Sequence, residues 1–139
     1  MSSAPPTLYV AAAVIHDGRG RLLLVRKRDT RAFMQAGGKI EPGETPEAAL
    51  RRELGEELGC LPRRLRYLGE YLAPAANEPG HRLHAHLFQV ELDAAPQPGA
   101  EIDTLCWVTP AQAQRLALAP LTRDRVLPLM ERLEIDAAV

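Results

Sequence analysis

Three glutamates, Glu53, Glu56 and Glu57, lie close together in the sequence. A helix over this stretch would bring their carboxylates together, because residues three or four apart share one helix face. Like charges at that spacing destabilise an isolated helix by roughly 0.2–0.5 kcal/mol per pair, and the adjacent arginines cannot neutralise all three. Carboxylate oxygens are the ligands that hard divalent cations prefer. The stretch therefore predicts a divalent-metal site, with a plain solvated acidic helix as the alternative.

A glycine-rich segment, "GGKIEPGE" (37–44), comes just before these glutamates. Glycine allows the backbone to approach a ligand closely. Magnesium keeps several waters and takes phosphate oxygens of a substrate together with protein carboxylates. A carboxylate beside a metal-activated water supplies a nucleophile for phosphorus. Loop and helix together therefore predict a site for a metal and a phosphate.

Clear start and stop signals define the helix that must position the glutamates. Thr45 is a good N-cap, and Pro46 suits the first helical position. Gly59 stands where a C-terminal cap glycine is expected. An apolar stripe, typical of a helix that packs on a core, is formed by Leu50, Leu54 and Leu58.

The remaining pattern predicts a mixed sheet with helices packed against it. We predict strands over 8–16, 21–28, 64–73, 81–92 and 104–109, an irregular segment over 29–44, and helices over 110–118 and 126–135, the last interrupted early by Pro128. The turn "DGRG" (17–20) predicts that the first two strands form a hairpin. Residues 1–7 are expected to be a flexible tail, and residues 8–139 one domain.

The composition limits the classes of partner. The chain has 139 residues, of which 46% are hydrophobic and 25% charged, and its net charge is -1. This balance argues against broad binding to a nucleic-acid polymer, which needs a basic excess, but not against a small nucleotide. No apolar run approaches the roughly 20 residues of a membrane helix, and the start lacks a signal-peptide pattern. We therefore expect a cytoplasmic protein without a membrane partner.

Histidines form a second group to weigh. His84 and His86 alternate, so they would share one face of a strand, and His81 is near. Zinc binding is conceivable, but no cysteine or acidic partner stands at a familiar zinc spacing. Exposed or hydrogen-bonded histidines are therefore the favoured interpretation.

Residues 38–60 follow one fixed order: Gly38, five residues, Glu44, seven residues, Arg52-Glu53-Leu54, one residue, Glu56-Glu57, one residue, Gly59. The order matches the Nudix box, GX5EX7REUXEEXGU, at every fixed position. The chain thus resembles the Nudix hydrolase superfamily, in particular its small MutT-like members. There are two mild departures: Cys60 replaces a bulky aliphatic residue, and Ala36 replaces a proline that many relatives carry.

The resemblance implies a fold and an activity. Family members usually form an α/β/α sandwich around a mixed β-sheet. They hydrolyse nucleoside diphosphates linked to another group, with Mg²⁺ or, as a substitute, Mn²⁺. A small nucleotide substrate is therefore implied, and a homodimer is possible.

The resemblance also implies roles for the helix residues. Glu56 and Glu57 would be metal ligands, and Glu53 would be either a ligand or the general base that activates water. Arg52 would orient Glu53 through a charge-assisted hydrogen bond. The implied catalytic residues are thus Glu53, Arg52 and Glu57.

In the loop before the helix, Gly37 would present its carbonyl to the metal. Gly38 would form a turn beside the substrate, and Lys39 would either contact a phosphate or be a plain solvated lysine. Glu44 would brace the loop against the helix. Gly59 would keep its structural role as the cap.

Many relatives add an acidic ligand from beyond the box, for which Glu101 is preferred here over Asp103. Arg28 is expected to contact the substrate from the end of the second strand. The neighbouring basic candidates are Arg26 and Lys27. Phe33 is the aromatic residue expected to face a base. The other aromatic candidates are Tyr71, Phe88 and Trp107.

Substrate choice depends on residues outside the box. Related ADP-ribose hydrolases often carry a proline where this chain has Ala76, and dinucleoside polyphosphate hydrolases a tyrosine where it has Asn77. Neither mark is present, and the chain is short, which favours a (d)NTP cleaved to monophosphate and pyrophosphate. The alternatives are ADP-ribose, a dinucleotide polyphosphate or a nucleotide sugar. Rival classes are a nucleotide-sensing domain without catalysis and a structural protein with a chance acidic helix.

Overall fold

The computed structural model describes residues 4–99 and 101–138, with side chains as far as residue 132. Within that range the strands are β1 (Thr7–Ile15), β2 (Leu22–Lys27), β3 (Phe33–Met34), β4 (Ala36–Lys39), β5 (Pro62–Pro74), β6 (Arg82–Leu92) and β7 (Ile102–Val108). The helices are α1 (Pro46–Leu58), α2 (Pro110–Ala113), a π-helical segment (Thr122–Val126) and α3 (Leu127–Ala138). None of the helices in the described range combines the length and apolarity that a membrane crossing requires.

The described strands form two sheets. One has the order β4-β1-β6-β5, with β1 and β6 parallel and the other neighbours antiparallel. The other has the antiparallel order β3-β2-β7. The pairing is therefore mixed, as the sequence predicts.

Successive residues of the strands face opposite cores. Val14 of β1 packs into one core, and its neighbour Ile15 packs into the other. Strand β2 alternates in the same way. The first core is completed by C-terminal residues: Leu121, Val126, Leu127 and Met130. The second is completed by the apolar stripe of α1: Leu50, Leu54 and Leu58. Helices thus cover both sides of the strands, which confirms the predicted α/β/α sandwich.

The predicted hairpin of the first two strands is wrong beyond its turn, where His16 and Leu22 form one isolated antiparallel bridge. The chain does turn tightly, because the Asp17 carboxylate accepts the backbone N–H groups of Arg19 and Arg21 at 2.8 and 3.1 Å. However, β1 pairs with β4 and β6, whereas β2 pairs with β3 and β7. Strands β1 and β2 are buried on both faces, so their apolar pattern does not indicate which strands are their neighbours in the sheet.

The segment 29–44 is also more regular than predicted, because it contains β3 and β4. Gly37 makes the pairing of β4 with β1 possible: a Cβ at Gly37 would lie 2.1 Å from the Ala11 carbonyl oxygen. The glycines that suggested an irregular loop therefore serve a close approach between strands.

Several other boundaries differ from the prediction. Helix α2 ends at Ala113, not near residue 118, because the backbone of Ala117 and Ala119 hydrogen-bonds Phe33 instead of continuing the helix. Strand β1 begins at Thr7, the last residue of the predicted tail, and the Pro6 carbonyl accepts the N–H of Arg82. Residues 1–3 of that tail lie outside the described residues.

Candidate functional site

Helix α1 is held at both ends as the sequence predicts. The Thr45 hydroxyl accepts the backbone N–H of Ala48 at 3.1 Å, and Gly59 adopts a left-handed conformation with φ 66°. The apolar stripe is fully buried. These contacts fix the rotation of the helix, and the glutamates therefore project beside β4.

Glu57 is a buried carboxylate, with only 5% of its surface exposed. Its Oε1 accepts the backbone N–H of Gly37 at 2.8 Å. Burial raises the pKa of Glu57 to about 7, although the Gly37 hydrogen bond and nearby Lys27 act in the opposite direction. The charges of Glu53 and Glu101 add to the increase. A divalent cation at this point would reverse the effect by stabilising the ionised form.

Arg52 connects the glycine-rich loop to the helix. Its Nε and Nη2 donate to the two carboxylate oxygens of Glu44 at 2.8 and 2.9 Å, and Nη2 also donates to the Lys39 carbonyl. Its Nη1 donates to Glu53 Oε1 at 2.8 Å. The hydrogen bonds from Arg52, together with one from the Glu41 N–H, lower the pKa of Glu44 to about 2. Glu44 thus has the contacts that a bracing role requires, and Arg52 has those of an orienting residue.

The Glu53 carboxylate lies directly over Gly38. A Cβ at position 38 would be 2.5 Å from Glu53 Cδ. Any side chain there would therefore displace the carboxylate from its position beside Arg52. Gly38 serves the site by leaving this space.

These groups line one cavity of about 710 Å³, a volume typical of ligand pockets. Predicted site residues around it are Gly37, Gly38, Lys39, Arg52, Glu53, Glu56, Glu57 and Glu101. Aliphatic residues line another part: Leu8, Val10, Leu83 and Leu121. Ala76 and Asn77 also line the cavity. The two positions at which related hydrolases differ according to their substrate therefore face the site.

The structure distinguishes the two candidates for an additional acidic ligand. Glu101 lines the cavity. Asp103 instead accepts a hydrogen bond from Arg26 Nε at 3.1 Å, and it is absent from the described lining. The segment before Glu101 is held against α1, because the Gly99 N–H donates to the Glu57 carbonyl at 2.7 Å. Of the two, Glu101 is thus the carboxylate placed beside the box.

Phe33 and Arg28 do not reach the cavity. Phe33 is a core residue, and the guanidinium of Arg26 covers its ring at 5.1 Å from the ring centre. The exposed Arg28 is absent from the described lining, whereas Lys27 is part of it. The prediction for Phe33 is therefore wrong, because its ring is committed to packing. Among the described residues that line the cavity none is aromatic.

Sequence reasoning missed a polar pair in the cavity wall. Gln35 lies between β3 and β4 with 6% of its surface exposed, and its Oε1 accepts the hydroxyl of the buried Thr122. The Gln35 Nε2 is buried without a hydrogen-bond partner among the described residues. In the sequence, Gln35 appears only as one polar residue between Met34 and Ala36. This pattern could not indicate that its partner is Thr122, 87 residues further along the chain.

The carboxylate set fits a hard divalent cation. Three helix carboxylates line the cavity, that of Glu57 is buried, and Glu101 lies near enough to influence its ionisation. Residues that could hold the ion are Glu53, Glu56, Glu57 and Glu101, with the Gly37 carbonyl as a further candidate. Oxygen ligands of this kind are those that Mg²⁺ and Mn²⁺ prefer.

The comparisons with known proteins agree with this geometry. The family model described as the NUDIX domain matches residues 6–130. The CTP pyrophosphohydrolase of Escherichia coli (strain K12) is 35% identical over 129 residues, or 89% of each chain. The 8-oxo-dGTP diphosphatase of Haemophilus influenzae is 43% identical over 58 residues, which are 39% of this chain and 43% of that one.

A solved structure is similar over nearly the whole chain. The solution structure of the E. coli ORF135 protein superposes with a TM-score of 0.69 at 29% identity, covering 96% of this chain and 94% of that one. The box, the sandwich and the extent of the family match all point the same way. This chain belongs to the Nudix family, whose members are hydrolases that act on nucleotides and generally use a divalent metal.

Proposed function

We propose that this protein is a Mg²⁺-dependent pyrophosphohydrolase of nucleoside triphosphates, releasing a nucleoside monophosphate and pyrophosphate. The observation that carries the proposal is the composition of one cavity. Carboxylates for a metal, two lysines for phosphates (Lys27 and Lys39) and an aliphatic region for a nucleoside all line it. A triphosphate needs these three environments in one place.

We assign the metal to Glu56 and Glu57, with Glu101 and the Gly37 carbonyl as further ligands, and of the two roles open to Glu53 we assign it that of the general base. When bound, Mg²⁺ would neutralise phosphate charge and lower the pKa of a coordinated water. Glu53 accepts the proton of the attacking water, while Arg52 holds its carboxylate in position. The water oxygen forms a new bond to phosphorus, and the bond from that phosphorus to the bridging oxygen breaks. The leaving group takes the electron pair of that bond: it is pyrophosphate when water attacks the α-phosphorus and the nucleoside monophosphate when water attacks the β-phosphorus.

The residues that line the cavity favour recognition of a base through hydrogen bonds to its edge rather than through stacking on an aromatic ring. The described lining has no aromatic ring, but it contains the Gln35–Thr122 pair. A buried amide can donate to or accept from the polar edge of a base, and an unpaired amide atom favours such a contact. The similar E. coli protein is named for CTP. We therefore place a pyrimidine nucleotide first among the candidate substrates.

Ala76 and Asn77 support a triphosphate over the other family substrates. Both line the cavity. Position 76 lacks the proline that is typical of ADP-ribose hydrolases, and position 77 lacks the tyrosine that is typical of dinucleoside polyphosphate hydrolases. ADP-ribose, dinucleotide polyphosphates and nucleotide sugars remain the alternatives. A sensing domain is disfavoured by the intact carboxylate set with its oriented Glu53. A homodimer, a cytoplasmic location and use of Mn²⁺ stay predictions.

The test is a hydrolysis panel. Purified protein is incubated with Mg²⁺ and canonical or oxidised (d)NTPs, ADP-ribose, dinucleotide polyphosphates or nucleotide sugars. We expect one triphosphate to be preferred, and Glu57→Gln to reduce its turnover at least about 100-fold. A preferred substrate from the other classes would refute the triphosphate assignment. Nucleotide binding without turnover of any compound would favour the sensing domain.

A further inference from the structure

A histidine–glutamate cluster lies on the four-stranded sheet, among residues that the proposed reaction does not use. His84 and His86 are on one face of β6, and Glu70 on β5 is paired directly with His86 in the antiparallel register. Directly opposed residues point to the same face of a sheet. The strands therefore bring a carboxylate to the two imidazoles, which the spacing along the sequence does not reveal.

The ligand atoms lie only slightly farther apart than a metal site requires. His84 Nε2 lies 3.5 Å from Glu70 Oε2, and His86 Nε2 lies 3.8 Å from Glu70 Oε1. One ligand atom from each of the three residues can be chosen so that all lie within 4.8 Å of one another. Tetrahedral zinc, with ligand bonds of about 2.0–2.1 Å, separates its ligands by roughly 3.3–3.4 Å. Small side-chain movements would close this cluster around one ion.

Two further observations point to a ligand. His84 Nε2 is buried and has no hydrogen-bond partner among the described residues. A buried polar atom of this kind is normally satisfied by water, protein or an ion. In addition, His86 Nδ1 lies 2.9 Å from the Tyr67 hydroxyl. Histidine ligands commonly use their second ring nitrogen in such a contact, which fixes the orientation of the ring.

We propose that Glu70, His84 and His86 bind one transition-metal cation of the Zn²⁺ class. Imidazole nitrogen is a ligand for zinc and related ions, whereas Mg²⁺ prefers oxygen. The cluster is therefore chemically different from the glutamate site. Three protein ligands leave a fourth position for water or another donor. The ion joins the edge strand β5 to β6, next to the irregular register at Tyr67 and Gly69.

The test uses the untagged full-length chain, stripped of metal with a chelator. Binding of Zn²⁺ is measured by equilibrium dialysis in saturating Mg²⁺, which competes with Zn²⁺ at the proposed glutamate site. We expect Glu70→Gln and His84→Ala to lose one bound Zn²⁺ or to weaken it at least about tenfold. The matched control is His81→Ala, because His81 Nδ1 lies near the Pro79 carbonyl, outside the cluster. Equal Zn²⁺ binding by wild type and both cluster variants would overturn the proposal, as would an equal loss in His81→Ala.

A second measurement separates loss of binding from loss of fold. The Glu70 side chain is 57% exposed, so Glu70→Gln is expected to fold normally. In the same saturating Mg²⁺, Zn²⁺ should raise the melting temperature of the wild type and of His81→Ala, since an ion that binds the native state stabilises it. It should not raise that of a folded Glu70→Gln variant. Equal increases in wild type and Glu70→Gln would contradict the proposed site.

Discussion

Replacing Glu57 by glutamine should make the metal-free protein more stable while removing its activity. The carboxylate is buried, and its pKa is raised from 4.5 to about 7. A glutamine has nearly the same shape and can still accept the Gly37 N–H. It has no charge to desolvate. The variant therefore removes the unfavourable ionisation and keeps the packing.

The pKa values set the size and the pH dependence of this gain. Between pH 4.5 and 7 the folded state holds a proton that the unfolded state has released, so the wild type loses stability as the pH rises through this window. A difference of about 2.5 pKa units corresponds to about 3 kcal/mol once both states are ionised. At pH 5 the same difference is worth less than about 1 kcal/mol. Glu57→Gln should therefore show its full stabilisation only near pH 8.

Urea denaturation of both proteins in chelator, at pH 5 and pH 8, measures the effect. Glu56→Gln is the matched control, because the Glu56 side chain is 62% exposed and its removal should change stability little. Adding Mg²⁺ should stabilise the wild type more than the Glu57→Gln variant. A metal-free Glu57→Gln variant that is no more stable than the wild type at pH 8 would refute the reasoning about burial.

Other substitutions probe separate parts of the site. Arg52→Lys keeps the charge but loses the forked hydrogen bonds to Glu44 and Glu53. We therefore expect kcat, measured at saturating substrate, to fall about tenfold or more with little change in KM. An unchanged kcat would contradict the orienting role of Arg52. Gly38→Ala forces the Glu53 carboxylate to move, so turnover should fall strongly while circular dichroism shows a retained fold; full activity would contradict the close packing. Lys27→Met should raise KM more than Arg28→Met does, because Lys27 lines the cavity; the reverse order in steady-state kinetics would place the phosphates elsewhere.

Local signals explain what could be predicted from the sequence. Helix α1 was predicted to the residue because its caps and apolar stripe are read within one segment. The box likewise fixes the relative positions of Arg52 and its glutamates. The sandwich follows from the family resemblance.

Long-range pairing explains what could not be predicted. Lys27 is the last residue of β2 and lines the cavity, whereas Arg28 lies in the turn that follows, so the choice between them depends on where the strand ends. Alternate residues of a strand face opposite sides, and Phe33 lies on the side that faces the core. Gln35 meets Thr122, and Glu70 meets His86, only through contacts between distant segments. The sequence pattern identifies such residues as polar, but not their partners.

Phosphorus-31 NMR of the products formed from CTP with Mg²⁺ tests the central claim most directly. The proposed reaction yields CMP and pyrophosphate in equal amounts with the wild type, and negligible product with Glu57→Gln. Release of orthophosphate and CDP, or an equal rate in the variant, would contradict the assignment of this cavity as a triphosphate pyrophosphohydrolase site.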